Sequence, residues 1–320
     1  MHKIVVLDGY TLNPGDLSWA ELEAMGEVRI YDRTEEKDVV KRVGDSDIVL
    51  TNKTLIRKET LEACPSIRYI GCMATGYNVI DVAAASAQGV VVTNIPAYGT
   101  EAVAQFTMAL LLEITSRVGM HAEAVRQGQW ASCPDFCFWN GPLIELAGKT
   151  MGIIGYGAIG QSVARKAEAF GMEVLAYRRT PDWSMETEHC HMATMDEIYE
   201  KADIITLHCP LTVENEEMIN KETISRMKDG VILLNTGRGK LIREADLRDA
   251  LNSGKVAGAG VDVASTEPIK PDNPLLQAKN IWITPHIAWA PKETRQRLMD
   301  ILIENIHAFL SGHPVNEVRG

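Results

Sequence analysis

The stretch Lys149-Thr-Met-Gly-Ile-Ile-Gly155-Tyr-Gly157-Ala158-Ile159-Gly160-Gln-Ser-Val-Ala-Arg165 reads as an apolar strand that runs into a glycine-rich turn and out into a helix. Its G-x-G-x-x-G spacing suits a dinucleotide pyrophosphate. Gly155 permits the tight turn, Gly157 keeps side-chain bulk away from the phosphates, and Gly160 lets the helix pack closely on the strand. The helix then offers unpaired N–H groups and the positive end of its dipole to the anion. Glycine turns are common, so the flanking strand and helix carry the reading.

The fingerprint begins near the middle of 320 residues, so a sizeable domain precedes it. That length predicts about two domains. A hydrophobic fraction of 46% and a charged fraction of 23% are those of a globular protein. A formal net charge of -11 argues against nucleic acid or an anionic membrane as partner, and any anionic ligand then needs a local cluster of positive groups. The apolar run Phe106–Leu112 is interrupted by Glu113 and is too short to span a bilayer, and the N-terminus reads as a strand, not a secretory signal. Six scattered cysteines without a C-x-x-C pair read as reduced thiols, which points to the cytoplasm. His189-Cys190-His191 reads as a surface loop and no metal site is expected.

Short apolar runs at Ile4–Leu7, Ile48–Thr51, Tyr69–Gly71 and Val90–Thr93 alternate with stretches long enough for crossover helices, which predicts a parallel sheet. Thr100 to about Gln127 reads as one long helix, and Trp130–Pro142 as a loop. Beyond the fingerprint, strands are expected at Glu173–Tyr177, Ile204–Leu207, Val231–Asn235, Ala259–Asp262 and Ile281–Thr284. The last segment, Pro291 to about Leu310, is amphipathic and helical, and is expected to return to the first domain. The fold class is therefore α/β with two doubly wound parallel-sheet domains. A flavodoxin-like domain (1–98 plus 290–320) is interrupted by a dinucleotide-binding domain of the Rossmann type (99–289), with the active cleft between them.

In open α/β sheets, ligands gather at the carboxyl ends of the strands. Three expected strands of the second half end in Thr236-Gly237-Arg238-Gly239, in Asp262 followed by Glu267-Pro268, and in Pro285-His286-Ile287. An arginine, a glutamate and a histidine thus leave corresponding ends. Singly, each has a plain alternative: a turn arginine, a solvated carboxylate, a packed histidine. Their joint placement beside a nucleotide fingerprint favours chemistry.

With these residues the chain resembles the D-isomer-specific 2-hydroxyacid dehydrogenases over essentially its whole length. The matching motifs are Gly155-x-Gly157-x-x-Gly160, Asn235-Thr-Gly-Arg238-Gly, Gly260-Val-Asp262 with Glu267-Pro268, Thr284-Pro-His286-Ile, Asn94-Ile-Pro96 with Val103-Ala104, and Ala74-Thr75-Gly76. His286-Ile-Ala-Trp289-Ala resembles the glycerate dehydrogenase (hydroxypyruvate reductase) branch. The resemblance implies hydride transfer between NAD(P)H and a small 2-oxo acid, hydroxypyruvate or glyoxylate, to give a D-2-hydroxy acid. His286 is suited to give the proton, with Glu267 holding its imidazolium. Arg238 binds the substrate carboxylate and polarises the carbonyl.

Further roles are implied only by the resemblance. The backbone N–H groups of Ala74, Thr75 and Gly76 complete the carboxylate clamp, and Asp262 orients the nicotinamide carboxamide. Cys209-Pro210 forms the adenine-side wall, and Val103, Thr236 and Gly237 join Ala158 and Ile159 around the cofactor. A homodimer built on about Thr100–Pro142 is expected, with Trp130, Phe136, Phe138 and Trp139 exposed for it.

NAD-preferring fingerprints carry an acidic residue about 20 positions on, to hold the ribose 2′-hydroxyl. Here that strand ends in Arg178-Arg179-Thr180, which suits a 2′-phosphate and tilts the expectation from NAD toward NADP. The alternatives are an arginine stacked on adenine or in solvent. Two rival functions remain: a phosphoglycerate dehydrogenase-like enzyme, and a dinucleotide-sensing, corepressor-like binding protein without turnover.

Overall fold

The computed structural model describes residues 1–319. It divides into two compact units, one formed by Met1–Gly99 with the segment from Trp289 onward and the other by Thr100–Ala288.

The first unit is a five-stranded, wholly parallel sheet of β1 (His2–Val6), β2 (Gly26–Ile30), β3 (Ile48–Thr51), β4 (Tyr69–Cys72) and β5 (Val91–Thr93), in the order β2-β1-β3-β4-β5. Ile4, Val5, Val6, Ile48, Val49 and Leu50 are fully buried, as strands covered on both faces require. β2 was absent from the sequence reading. It is an edge strand whose residues are half-buried or exposed, so its apolar signal is thin. The helix Lys292–Leu310 belongs to this unit. Leu298, Leu302 and Ile306, at successive i+4 positions, are fully buried, and Phe309 lies against Tyr69 with ring centroids 4.8 Å apart.

The second unit is a seven-stranded parallel sheet. It comprises β6 (Thr150–Ile154), β7 (Glu173–Tyr177), β8 (Cys190–Met192), β9 (Ile204–Leu207), β10 (Val231–Asn235), β11 (Val256–Val261) and β12 (Ile281–Ile283). The order β8-β7-β6-β9-β10-β11-β12 reverses direction between β6 and β9. Each unit is thus doubly wound, the α/β class expected from the sequence.

Three local expectations need correction. The single long helix is two, Thr100–Ser116 and Val118–Arg126, because Arg117 adopts a left-handed conformation (φ 50°, ψ 40°) that ends the first. His189-Cys190-His191 is no surface loop. Cys190 and His191 lie in β8, with the cysteine fully buried and only the flanking histidines exposed. Phe138 is half-buried, tilted against His121 at 6.2 Å, whereas Trp130, Phe136 and Trp139 are exposed. Among the described residues, no helix is long and apolar enough to cross a membrane.

Candidate active site and dinucleotide cradle

The strand order of the second unit turns round between β6 and β9, and the glycine fingerprint leaves β6 at that point. Gly155 has φ +105°, and a Cβ there would stand 2.4 Å from the Cys209 backbone nitrogen, so only glycine lets the two strand ends approach. A Cβ on Gly160 would meet the Gly155 carbonyl oxygen at 2.3 Å, which explains the close return of the helix. Gly157 is exposed and a Cβ there would touch nothing within 4 Å. It caps the helix Ala158–Ala169 with no side-chain hydrogen bond, leaving the opening N–H groups of a twelve-residue helix without a side-chain cap. This geometry fits a pyrophosphate: an open, uncapped helix start reached by a backbone with no side chain in the way. Ala158 is exposed and Ile159 half-buried beside it.

At the end of β7, Arg178 is half-buried, and Arg179 and Thr180 are exposed. Arg178 already has company: its Nη1 contacts Met185 Sδ at 3.1 Å and lies 3.8 Å from Asp182 Oδ2. The Ser184 hydroxyl and backbone N–H hold the Asp182 carboxyl below the usual carboxylate range. Arg179 makes no ion pair with another described residue. At the end of β9, Cys209 is half-buried and burial pushes its thiol up, while Pro210 is exposed. Thr236 is buried and its hydroxyl meets that of Thr107 at 3.1 Å; Val103 is buried one helical turn before Thr107.

The loops after β10, β11 and β12 carry the candidate reactive residues Arg238, Glu267 and His286. Asn235, 1% exposed, accepts from Gly237 N–H at 3.0 Å and donates to Arg238 O at 2.9 Å, folding the turn that leaves the arginine exposed. Gly239 is required there, since a Cβ would overlap the Ala264 carbonyl carbon at 2.0 Å. That close approach brings the Arg238 turn against the loop leading to Glu267. His286 Nδ1 lies 2.7 Å from Glu267 Oε2. An ionised carboxylate only accepts, so Nδ1 donates, and Nε2 is the second ring nitrogen.

His286 sits at φ +58°, an uncommon conformation for a residue with a side chain. Asp262 enforces it. Its Oδ1 accepts from the Thr284 hydroxyl (2.6 Å) and Ile287 N–H (2.9 Å), and its Oδ2 from Ala288 N–H (2.8 Å). At 1% exposure, the Asp262 carboxylate is committed to the Thr284–Ala288 turn. Asp262 therefore holds the turn that carries the histidine, a task beside the nicotinamide contact expected of it.

In the first unit, Ala74, Thr75 and Gly76 follow β4. Asn94 Nδ2 donates to Thr75 O at 2.7 Å, and the Thr75 hydroxyl to Ile95 O at 2.7 Å. Asn305, fully buried on the terminal helix, donates to Asn94 O at 3.0 Å. The loop is thus braced from the far end of the sequence.

Sequence reading missed two features. His208, between β9 and Cys209, is pushed down to about 3 by burial, so its imidazole is neutral at physiological pH; its Nε2 lies 2.9 Å from the Thr206 hydroxyl. Its position directly before Cys209-Pro210 at a strand end was the available signal. The second is Asp8, whose carboxylate is taken up by the loop after β3; a lone aspartate after a strand gives no sequence signal of this.

Residues 108–288 match the family model described as D-isomer specific 2-hydroxyacid dehydrogenase, NAD binding domain. The chain is 59% identical over 319 residues to a hydroxypyruvate reductase of Blautia hydrogenotrophica, covering 99% of each chain. It is 39% identical to a glycerate dehydrogenase of Methylorubrum extorquens, covering 99% of this chain and 98% of the other. Among solved structures, it resembles an NADPH-dependent glyoxylate/hydroxypyruvate reductase of Sinorhizobium meliloti in complex with NADP and malonate. There the TM-score is 0.83 at 30% identity, over 99% of this chain and 96% of that one. With the geometry above, these likenesses make the chain a member of the D-isomer specific 2-hydroxyacid dehydrogenase family.

Proposed function

We propose that the protein is an NAD(P)-dependent reductase of small 2-oxo acids, acting on hydroxypyruvate or glyoxylate to give the D-2-hydroxy acid. The observation that carries this reading is the His286–Glu267 hydrogen bond of 2.7 Å, on a turn pinned by buried Asp262, in the same sheet as the uncapped glycine cradle. The relatives named hydroxypyruvate reductase and glycerate dehydrogenase support the same substrates.

When bound, the nicotinamide supplies the hydride for the carbonyl carbon. His286 gives the proton to the carbonyl oxygen from Nε2, while Glu267 fixes the ring through Nδ1 and stabilises its cationic form. Arg238 binds the carboxylate and withdraws charge from the carbonyl oxygen. On the first unit, the N–H groups of Ala74–Gly76 serve the carboxylate. Gly155, Gly157 and Gly160 admit the pyrophosphate to the helix start, with Ala158 and Ile159 beside it. Cys209 and Pro210 would line the adenine side of the bound cofactor, and Val103, Thr236 and Gly237 its nicotinamide side.

Arg178 and Arg179 favour NADPH, and Arg179 is the readier of the two because Asp182 partly engages Arg178. The exposed Trp130, Phe136 and Trp139 support a homodimer through this region, and the reduced thiols a cytoplasmic location. Steady-state rates with hydroxypyruvate, glyoxylate and 3-phosphohydroxypyruvate, each with NADH and NADPH, test the reading. Tight cofactor binding without turnover on any acid would instead indicate a dinucleotide sensor.

A further inference from the structure

The first unit also has a point where its strand order turns round, between β1 and β3. There the Asp8 carboxylate accepts three backbone N–H groups, from Asn52 (2.8 Å), Lys53 (2.5 Å) and Thr54 (2.8 Å). Successive amides of this kind form an anion-binding concavity. The protein's own carboxylate fills it, so no ligand anion is needed there. What faces outward is the Lys53 side chain. It is exposed and has no ion-pair partner among the described residues, in a chain of net charge -11.

The register places this lysine. Thr51 in β3 pairs with Cys72 in β4, and Met73 N–H donates to Thr51 O at 2.7 Å. The paired Thr51 and Cys72 thus end neighbouring strands, and Lys53 and Ala74 each follow two residues further on. The Cys72 thiol, which donates to Gly76 O at 3.4 Å, is pushed up to about 12 by burial, and the Lys53 charge is the foremost influence opposing that shift. The Lys53 charge is thus felt at Cys72, the residue whose thiol meets the end of the Ala74–Gly76 loop.

We propose that Lys53 is a specificity-determining residue that donates a hydrogen bond to the hydroxyl on carbon 3 of the substrate. It thereby selects hydroxypyruvate over pyruvate, whose carbon 3 is a methyl, and over glyoxylate, which has no carbon 3. This rests on the reductase reading above. In that reading the carboxylate and the carbonyl oxygen already have their donors, and carbon 2 has one other substituent to place. An ammonium offers three donors and no acceptor, so it rewards a hydroxyl oxygen and gains nothing from a methyl. Sites built to hydrogen-bond a substrate hydroxyl discriminate far more strongly against its absence than apolar pockets do. The Asp8 brace gives the Lys53 backbone the fixed position such selection needs.

The test is kcat/KM for hydroxypyruvate, pyruvate and glyoxylate, each with NADH and NADPH, in the parent, Lys53→Met and Lys53→Gln. Lys53 is exposed, so neither change threatens folding. The expected result is a hydroxypyruvate-to-pyruvate ratio about tenfold to a hundredfold lower in Lys53→Met, as for loss of a charged hydrogen bond, and a smaller drop in Lys53→Gln, which keeps a neutral donor. A ratio within about twofold of the parent in both variants overturns the proposal. That holds whether all three rates fall together, as for a carboxylate contact, or none changes. A parent inactive on all three acids with both cofactors removes the reductase reading, and this proposal with it; an active parent with unmoved ratios removes this proposal alone.

Discussion

Two sheets built on the same principle give opposite solutions at the point where their strand order reverses. In the second unit, the loop after β6 is Gly155-Tyr156-Gly157, and the helix that follows has no side-chain cap. In the first unit, the corresponding loop after β1 carries Asp8, and its carboxylate already occupies the amides of residues 52–54. The topology makes a crevice in both. Side chains decide whether that crevice stays available to an anion. One unit leaves its helix-start amides without a side-chain cap; the other gives its strand-end amides to its own carboxylate and presents a lysine.

The largest expected effect tests whether proton transfer belongs to the second unit. His286→Ala should lower turnover by a factor on the order of 100 to 10,000, as for loss of a general acid, with cofactor binding kept. Turnover near the parent's at neutral pH would show that another group gives the proton. Arg238→Lys should have a lower kcat and a higher KM than the parent, because lysine lacks the planar two-point fork. Full recovery by lysine would reduce the arginine to a point charge.

The filled crevice is tested by Asp8→Ala. Three strand-end amides would lose their acceptor, and the variant should be less stable by about 2–3 kcal/mol, read as a lower midpoint in denaturant. A midpoint equal to the parent's would mean that water satisfies the amides equally well, and the contrast between the crevices would lose its energetic basis.

His208, which borders the open crevice, supplies a pH test. Its folded pKa of about 3 lies below the unfolded value of 6.5, so the unfolded chain binds the proton first as pH falls. Its contribution is present in full above pH 6.5 and lost as pH drops from there toward 3. The loss reaches about 2 kcal/mol at pH 5 by linkage. His208→Asn should remove that part of the acid sensitivity between pH 7 and 5. Parallel stability profiles for the two proteins across that window would show the imidazole to be protonated when folded.

The legibility of the chain follows the same division. Fully buried strands such as β3 and β10 read directly, because an unbroken apolar run has few other uses. The glycine fingerprint read directly because two of its glycines answer steric demands, at 2.4 Å for Gly155 and 2.3 Å for Gly160, and the third leaves the helix start open. Edge strands were hard: β2 is half-exposed, and β8 has three residues and a charged-looking His-Cys-His. The break at Arg117 gave no signal, since arginine is an ordinary helix former and only tertiary context sets its φ to 50°. Arg238, Glu267 and His286 were visible as polar residues following strand ends. The commitment of Asp262 and Asp8 to backbone amides was not, because a carboxylate's partners lie far away in sequence.

The smallest expected effect concerns the end of β7, where the open crevice meets the adenosine ribose in the proposed mode. A 2′-phosphate there would compete with Asp182, which stands 3.8 Å from Arg178, while Arg179 has no ion pair with a described carboxylate, Glu214 acting on it only from further off. Exposed ion pairs are usually worth about 1 kcal/mol or less, whereas charged hydrogen bonds reach roughly 1.5–3 kcal/mol. With one arginine partly engaged, the lower part of the range applies, a preference for NADPH of about tenfold. Arg179→Ala should then erase most of it. Arg178→Asp should go further toward NADH, because it adds an acceptor for the ribose hydroxyl and repels the phosphate. Asp182→Asn should move the other way by freeing Arg178. The measurement is the ratio of kcat/KM for NADPH to that for NADH at low and moderate salt, in the parent and the three variants. An electrostatic preference shrinks as salt rises. A parent that prefers NADH, or a ratio that Arg179→Ala and Arg178→Asp leave unmoved, would return both arginines to solvent or to stacking on adenine.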